Sequence, residues 1–130
     1  MISEVFEKPI VVEEGHLDQL NHVNNVVWLK WVQDMAEAHW NSRTNDSVND
    51  RYFWVVLNHF IEYKRPAHLN DNLVAKTFIM SYEGPRSERH VEFYHQDKLC
   101  VKAKSSWCLI NRKNERPVRV PEEIVNLFKQ

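Results

Sequence analysis

Apolar and polar residues repeat along this chain in two different rhythms. Between Val26 and Asn41 the spacing is helical. At 100° per residue, with Val26 at zero, Trp28, Leu29, Trp31, Val32, Met35, Ala36 and Trp40 lie between about 140° and 320°. Lys30, Gln33, Asp34, Glu37 and Asn41 fall between about 340° and 80°. An apolar arc near 180° is wider than the roughly 100° stripe of a surface helix. It predicts a helix wrapped on several sides, for instance by a curved sheet. Asn24 or Asn25 suits its N-cap, because an amide oxygen accepts a bond from an orphan N–H of the first turn. Elsewhere the rhythm is that of strands. Residues 2–13 predict a first strand, with Pro9 at an edge or bulge. After the polar connection 41–51, four more strands are predicted over 53–64, 73–82, 87–96 and 99–111. Glu83-Gly84-Pro85 and Asp97-Lys98 read as hairpin turns. Pro121 followed by Glu122 and Glu123 predicts a short final helix, with Ile124, Leu127 and Phe128 docking it.

Strand, long helix, four antiparallel strands and short helix make an α+β fold with a five-stranded sheet, read as one domain over 1–130. One helix covers one face of such a sheet. In the 53–64 run Trp54, Val56 and Phe60 oppose Val55, Leu57 and Ile61, so both faces are apolar. That predicts a subunit against the outer face, and at least a dimer. The 17 basic and 18 acidic residues give a formal net charge of −1, which supplies no excess to neutralise a phosphate backbone. Nucleic-acid binding is therefore not expected. The longest apolar run, 53–57, falls far short of the roughly 20 residues of a membrane span. The opening MISEVFEKPI lacks a basic region followed by an apolar one, so no secretory signal is expected and a cytoplasmic location is. Cys100 and Cys108, on one predicted strand, would stand about 26 Å apart. A disulfide requires Cα atoms about 4.4–6.8 Å apart, so both are expected reduced.

The chemistry is concentrated in residues 15–31. Asp18 stands just ahead of the apolar helix. First-turn N–H groups of a helix are unpaired and its dipole adds positive charge there, so that end suits an oxyanion. A carboxylate a few residues upstream fits a general base or nucleophile beside it. The same residue pattern also describes a plain helix-capping acid. His22 reads either as a proton-transfer partner or as a turn histidine bonded to backbone. Asn24 and Asn25 read as caps. Glu37 on the polar side of the helix reads as solvated or subunit-facing, and His39 and His59 as satisfied core or subunit-contact residues. Seven histidines show no His-x-x-x-His on the helix and the cysteines no Cys-x-x-Cys, so no metal site is expected.

Asp18-x-x-x-His22-Val23-Asn24-Asn25, followed by an aromatic, resembles the signature of hotdog-fold acyl-CoA thioesterases of the 4-hydroxybenzoyl-CoA thioesterase type. Plant and bacterial acyl-ACP thioesterases share this segment. The stretches 59–67, 103–109 and 116–121 agree, so the resemblance covers nearly the whole chain. It implies a hotdog fold, with the sheet wrapped around the central helix, and dimers or tetramers. It implies hydrolysis of an acyl-CoA thioester, with Asp18 as the catalytic carboxylate, either nucleophile or general base, and the Asn25 N–H polarising the thioester carbonyl. His22 and Asn24 match the rest of the motif. Asn21 stands where many relatives carry Gly, and Asn tolerates the left-handed turn. Trp28 stands where Tyr is common and lacks its hydroxyl. The acyl chain is expected between helix and sheet at a subunit boundary, against residues such as Trp28, Trp31 and Val56. Arg86, Ser87 and Arg89, with Lys102 and Lys104 nearby, are the residues expected to meet the phosphates of coenzyme A. Coenzyme A enters only as part of the substrate, and no separate cofactor is expected. An acyl carrier protein as carrier, and a non-catalytic acyl-CoA-binding module, are the alternatives.

Overall fold

A computed structural model of the chain describes residues 2–130. It orders the elements β1 (Phe6–Val11), α1 (Asn25–Arg43), α2 (Asp46–Asn49), β2 (Tyr52–Tyr63), β3 (Asn72–Glu83), β4 (Arg86–His95), β5 (Lys98–Asn111), β6 (Arg116–Pro117) and α3 (Glu122–Leu127). The strands form one antiparallel sheet in the order β1-β3-β4-β5-β2, with two-residue β6 beside β5. The sheet curls around α1 as the hotdog fold requires. Pro9 lies on β1, an edge strand, where its missing N–H does no harm.

The sequence reading differs from this in several places. Inside the polar connection, Asn45 caps the extra turn α2 by accepting from the Val48 N–H. The second hairpin turns at Gln96 and Asp97, one residue earlier than expected. Their φ values of 50° and 63° suit a two-residue turn with both central residues left-handed. Pro121 caps α3 rather than opening it. The buried stripe of α1 is also narrower than the apolar arc. Trp28, Trp31, Val32, Met35, Ala36 and His39 are buried, whereas Leu29 is exposed. Within one chain the sheet covers one side of the helix.

A β-bulge accounts for the mixed parity of β2. The pairing with β5 shifts between Val56 and Asn58, leaving Leu57 as the extra residue. Trp54 and Val56 face inward before it and His59 and Ile61 after it, so each parity carries inward residues in turn. His59 Nδ1 pairs with Ser105 Oγ at 2.6 Å and Nε2 approaches Gln33 Oε1 of α1 at 3.3 Å, and burial lowers its pKa.

The core has two parts. Trp28, Trp31 and Phe93 meet edge to face or tilted beneath the first half of α1, with Val91, Val101 and Ala103 on the sheet. Burial of each large side chain contributes on the order of 1.5–3 kcal/mol. Beneath the second half lie Ile79, Leu109, Ile124 and Phe128, so α3 closes this end. Cys100 and Cys108 are free and buried on β5.

Candidate active site

The loop between β1 and α1 is built from local hydrogen bonds. Glu13 N–H donates to His16 Nδ1, and the Asn24 N–H donates to the His16 carbonyl at 2.9 Å. Leu17 and Val23 pair as a two-residue bridge. Between them the chain doubles back: the Asp18 N–H donates to the His22 carbonyl at 2.8 Å and the Asn21 N–H to the Asp18 carbonyl at 3.0 Å. Asn21 takes a φ of 60°, which Asn tolerates better than most residues. The Val23 N–H donates to the Ala67 carbonyl and ties the loop to the segment after β2.

This turn fixes the Asp18 side chain. Asp18 Oδ1 accepts from the Leu20 N–H at 2.9 Å and the His22 N–H at 3.2 Å. The pattern is an Asx turn extended by one further donor. Neither of these bonds uses Oδ2. His22 serves the turn through its backbone, while its ring stands edge-on to His68 at 5.1 Å. Asn24 is the N-cap of α1: its Oδ1 accepts from the Val26 N–H at 2.9 Å, and its carbonyl accepts from Val27 and Trp28. The Asn25 N–H, first in the helix, has no hydrogen-bond acceptor among the described residues. Its end of the helix carries the positive pole of the dipole.

Trp28, one turn further on, is 2% exposed and packs in the core against Phe93. Within the single chain Trp28 and Trp31, the two residues expected beside the acyl chain, both fill the core. A cavity of ≈ 390 Å³ lies further along α1, between that helix, the inner sheet face and α3. Gln33, Glu37 and Trp40 border it from α1, and Trp54, Trp107 and Ile124 from the other side. Arg86, Ser87 and Arg89 divide. Arg86 is exposed at the start of β4. Ser87 and Arg89 point inward, are nearly buried and line the cavity, away from the exposed edge where Arg86 stands. Arg89 Nη1 donates to His39 Nδ1 at 2.9 Å and to Thr77 Oγ1 at 3.0 Å. His39 Nε2 pairs with Glu4 Oε2 at 2.9 Å, and Glu4 binds Arg43. Sequence reasoning missed Trp40, Trp54, Trp107 and Arg112 as lining residues. Strand register pairs Trp107 with Ser87, and the packing of α1 on the sheet sets Trp40 edge-on to Trp54.

Among the described residues, no helix is long and apolar enough to cross a membrane. No cluster of three or more metal-ligating side chains occurs among the described residues.

The family model for the acyl-ACP thioesterase N-terminal domain matches residues 3–128. The chain belongs to that family. It is a thioester hydrolase. Over 119 residues it is 24% identical to "Putative acyl-CoA thioesterase YneP" of Bacillus subtilis (strain 168), covering 88% of this chain and 86% of that one. Its fold matches SAV2348 of Staphylococcus aureus, solved in complex with CoA, with a TM-score of 0.87, 18% identity and coverage of 98% and 83% of the two chains. YbaW of Escherichia coli matches with a TM-score of 0.82, 24% identity and coverage of 95% and 98%. Both solved structures share the fold of this family member.

Proposed function

We propose that this thioesterase hydrolyses an acyl-CoA, releasing a free acid and the coenzyme A thiol. The observation that carries the reading is the Asp18 carboxylate, held through one oxygen by two backbone N–H groups just ahead of the open N-terminus of α1. The thioester oxygen sits against the Asn25 N–H, where the helix dipole stabilises charge developing on it; one such donor is typically worth about 2.7–4 kcal/mol. Asp18 Oδ2 takes a proton from water as that water adds to the carbonyl carbon, and the C–S bond then breaks with the proton passing to sulfur. The alternative within the same geometry is direct attack by Oδ2 on the carbonyl carbon, which breaks the C–S bond and expels the coenzyme A thiolate; water then cleaves the acyl-Asp18 anhydride, releasing the acid and restoring the Asp18 carboxylate, and a proton from that water passes to the thiolate. His22 and Asn24 hold the turn and the helix start, and Trp28 supports that start from below. The names of YneP and of the CoA-bound SAV2348 support a coenzyme A carrier. No cofactor is needed beyond the substrate's own coenzyme A. Arg86 is the exposed cation of the three proposed to meet it.

The protein works as a homodimer or larger oligomer in this reading, with the acyl chain between helix and sheet at a subunit boundary. Exposed Val55, Leu57 and Phe60 on edge strand β2 support it. A reducing, cytoplasmic setting is supported by the two free cysteines.

One observation favours a second carrier. The matching family model is that of acyl-ACP thioesterases, and Arg112 at the cavity is followed by exposed Lys113, Arg116 and Arg119. Such a basic run suits an acidic carrier protein.

A thiol-release assay over matched acyl-CoA and acyl-ACP substrates tests carrier and chain together. Asp18→Asn keeps an oxygen for the Leu20 and His22 N–H groups, so it folds with an unchanged circular dichroism spectrum. Its turnover is expected to fall by about 10²–10⁴. Full turnover in that variant overturns the assignment.

A further inference from the structure

Strand register brings a set of polar side chains together on the inner sheet face, behind the cavity. Ser87 of β4 pairs with Tyr82 of β3 on one side and with Trp107 of β5 on the other. Arg89, two residues on, lies between Ile79 and Ser105. Ser87, Arg89 and Trp107 line the cavity.

Three features of this set are unusual for a closed core. Arg89 is only 6% exposed, yet it forms no ion pair with a carboxylate among the described residues. Its two acceptors, His39 Nδ1 and Thr77 Oγ1, are both served by Nη1, which leaves the rest of the fork uncommitted. Both acceptors are neutral: burial first, then the Arg89 charge, push the His39 pKa down to about 4. Burial lowers the Arg89 pKa to about 10, so the guanidinium remains charged at neutral pH. Finally, the Trp107 Nε1–H and the Tyr82 hydroxyl are buried with no hydrogen-bond partner among the described residues.

A buried positive charge without a counter-ion, beside orphaned donors, is a state proteins avoid unless something else completes it. We propose that the cavity is an anion subsite for a carboxylate carried on the far end of the acyl group, bound by Arg89 and the Trp107 N–H. This rests on the thioesterase reading and names its substrate class: CoA thioesters of dicarboxylic acids, or of acids with a comparable distal carboxylate. A planar carboxylate matches the open side of a guanidinium fork, and its second oxygen accepts from the indole N–H. One uncompensated charge calls for one negative charge. The remaining wall is largely apolar, with Trp40, Trp54, Ile79 and Ile124, and suits methylene groups rather than a nucleotide. Glu37 and Arg112 also border the cavity, and both are exposed, so solvent screens them.

Glutaryl-, adipoyl- and suberoyl-CoA, each assayed against the methyl-ended acyl-CoA of equal length, test the proposal. For at least one length the dicarboxylic substrate is expected to have the higher kcat/KM by tenfold or more. Trp107→Phe removes the N–H and keeps an aromatic ring, and is expected to lower the ratio of the two kcat/KM values about tenfold. Arg89→Met is expected to abolish the preference; should it not fold, Trp107→Phe decides. The coenzyme A part is the same in both substrates, so a phosphate bound at Arg89 would leave the ratio unmoved. Binding of free adipate and hexanoate, read by tryptophan fluorescence, separates the two readings. Adipate-selective quenching that Trp107→Phe weakens, with no thioester turned over, keeps the subsite and sinks the hydrolysis of acyl-CoA. Turnover with equal or better use of methyl-ended chains, and a ratio unmoved in Trp107→Phe, keeps the hydrolase and sinks the subsite.

Discussion

His39 has no solvent exposure and stands between two charged groups, Glu4 on one ring nitrogen and Arg89 on the other. Burial and the Arg89 charge outweigh the attraction of Glu4, and the ring titrates at about 4 instead of 6.5. Between those values the unfolded chain binds a proton that the folded chain refuses. Stability therefore rises with pH across this window and is lost as the pH falls from 6.5 towards 4. The full difference is worth up to about 3 kcal/mol. Glu4 adds a second loss lower down: Arg43 holds its pKa below 4.5, so its contribution disappears as the pH falls through that lowered value. Thermal melts at pH 7 and pH 5 are expected to show a clear drop, and His39→Gln should shrink the difference between them even though its melting point at pH 7 is lower. An equal drop in wild type and variant would assign the acid sensitivity elsewhere. Asp18 and Asn24 were legible in the sequence because their bonds close within four residues. Arg89 was not: from sequence it reads as a contact for the phosphates of coenzyme A. Only its pairing across to β3 and β5 shows that it faces inward.

At the scale of elements, the start of α1 couples stability to the candidate site. Asn24 Oδ1 satisfies the Val26 N–H, and its carbonyl begins the helical ladder, so the direction of the Asn25 N–H depends on this cap. Asn24→Ala removes the side-chain acceptor alone. It is expected to cost about 1 kcal/mol, a drop of a few degrees in Tm. If the Asn25 N–H holds the thioester oxygen, kcat should fall in this variant more than KM changes. A Tm drop with untouched kcat would separate the cap from the chemistry. The helix and strands were readable because each period repeats several times. The β2 bulge was not, because one extra residue leaves both alternations intact and merely exchanges them. That is why the sequence placed His59 on the same side as Val55 and Leu57, whereas it faces Ser105 and Gln33.

For the whole molecule, the two edges of the sheet differ in kind. β1 ends it with Pro9, Glu7 and Lys8, which discourage a further strand. β2 ends it with twelve residues, among them exposed Val55, Leu57 and Phe60 at 40%, 47% and 60% exposure. A long apolar edge left bare invites pairing with another chain. The proposed oligomer covers it, and places a second copy beside the cavity that β2 helps to wall. Phe60→Glu puts a charge on that edge without touching the inner face, so the single chain keeps its core. Sedimentation should then give the mass of one chain where the wild type gives two or more. The circular dichroism spectrum should be unchanged, and turnover should fall at least tenfold if the boundary completes the acyl channel. Loss of mass with full turnover would make each chain self-sufficient and confine the acyl group to the Trp40–Trp107 cavity. An unchanged mass would mean that β2 is covered in some other way, and the channel would then have to be sought away from this edge.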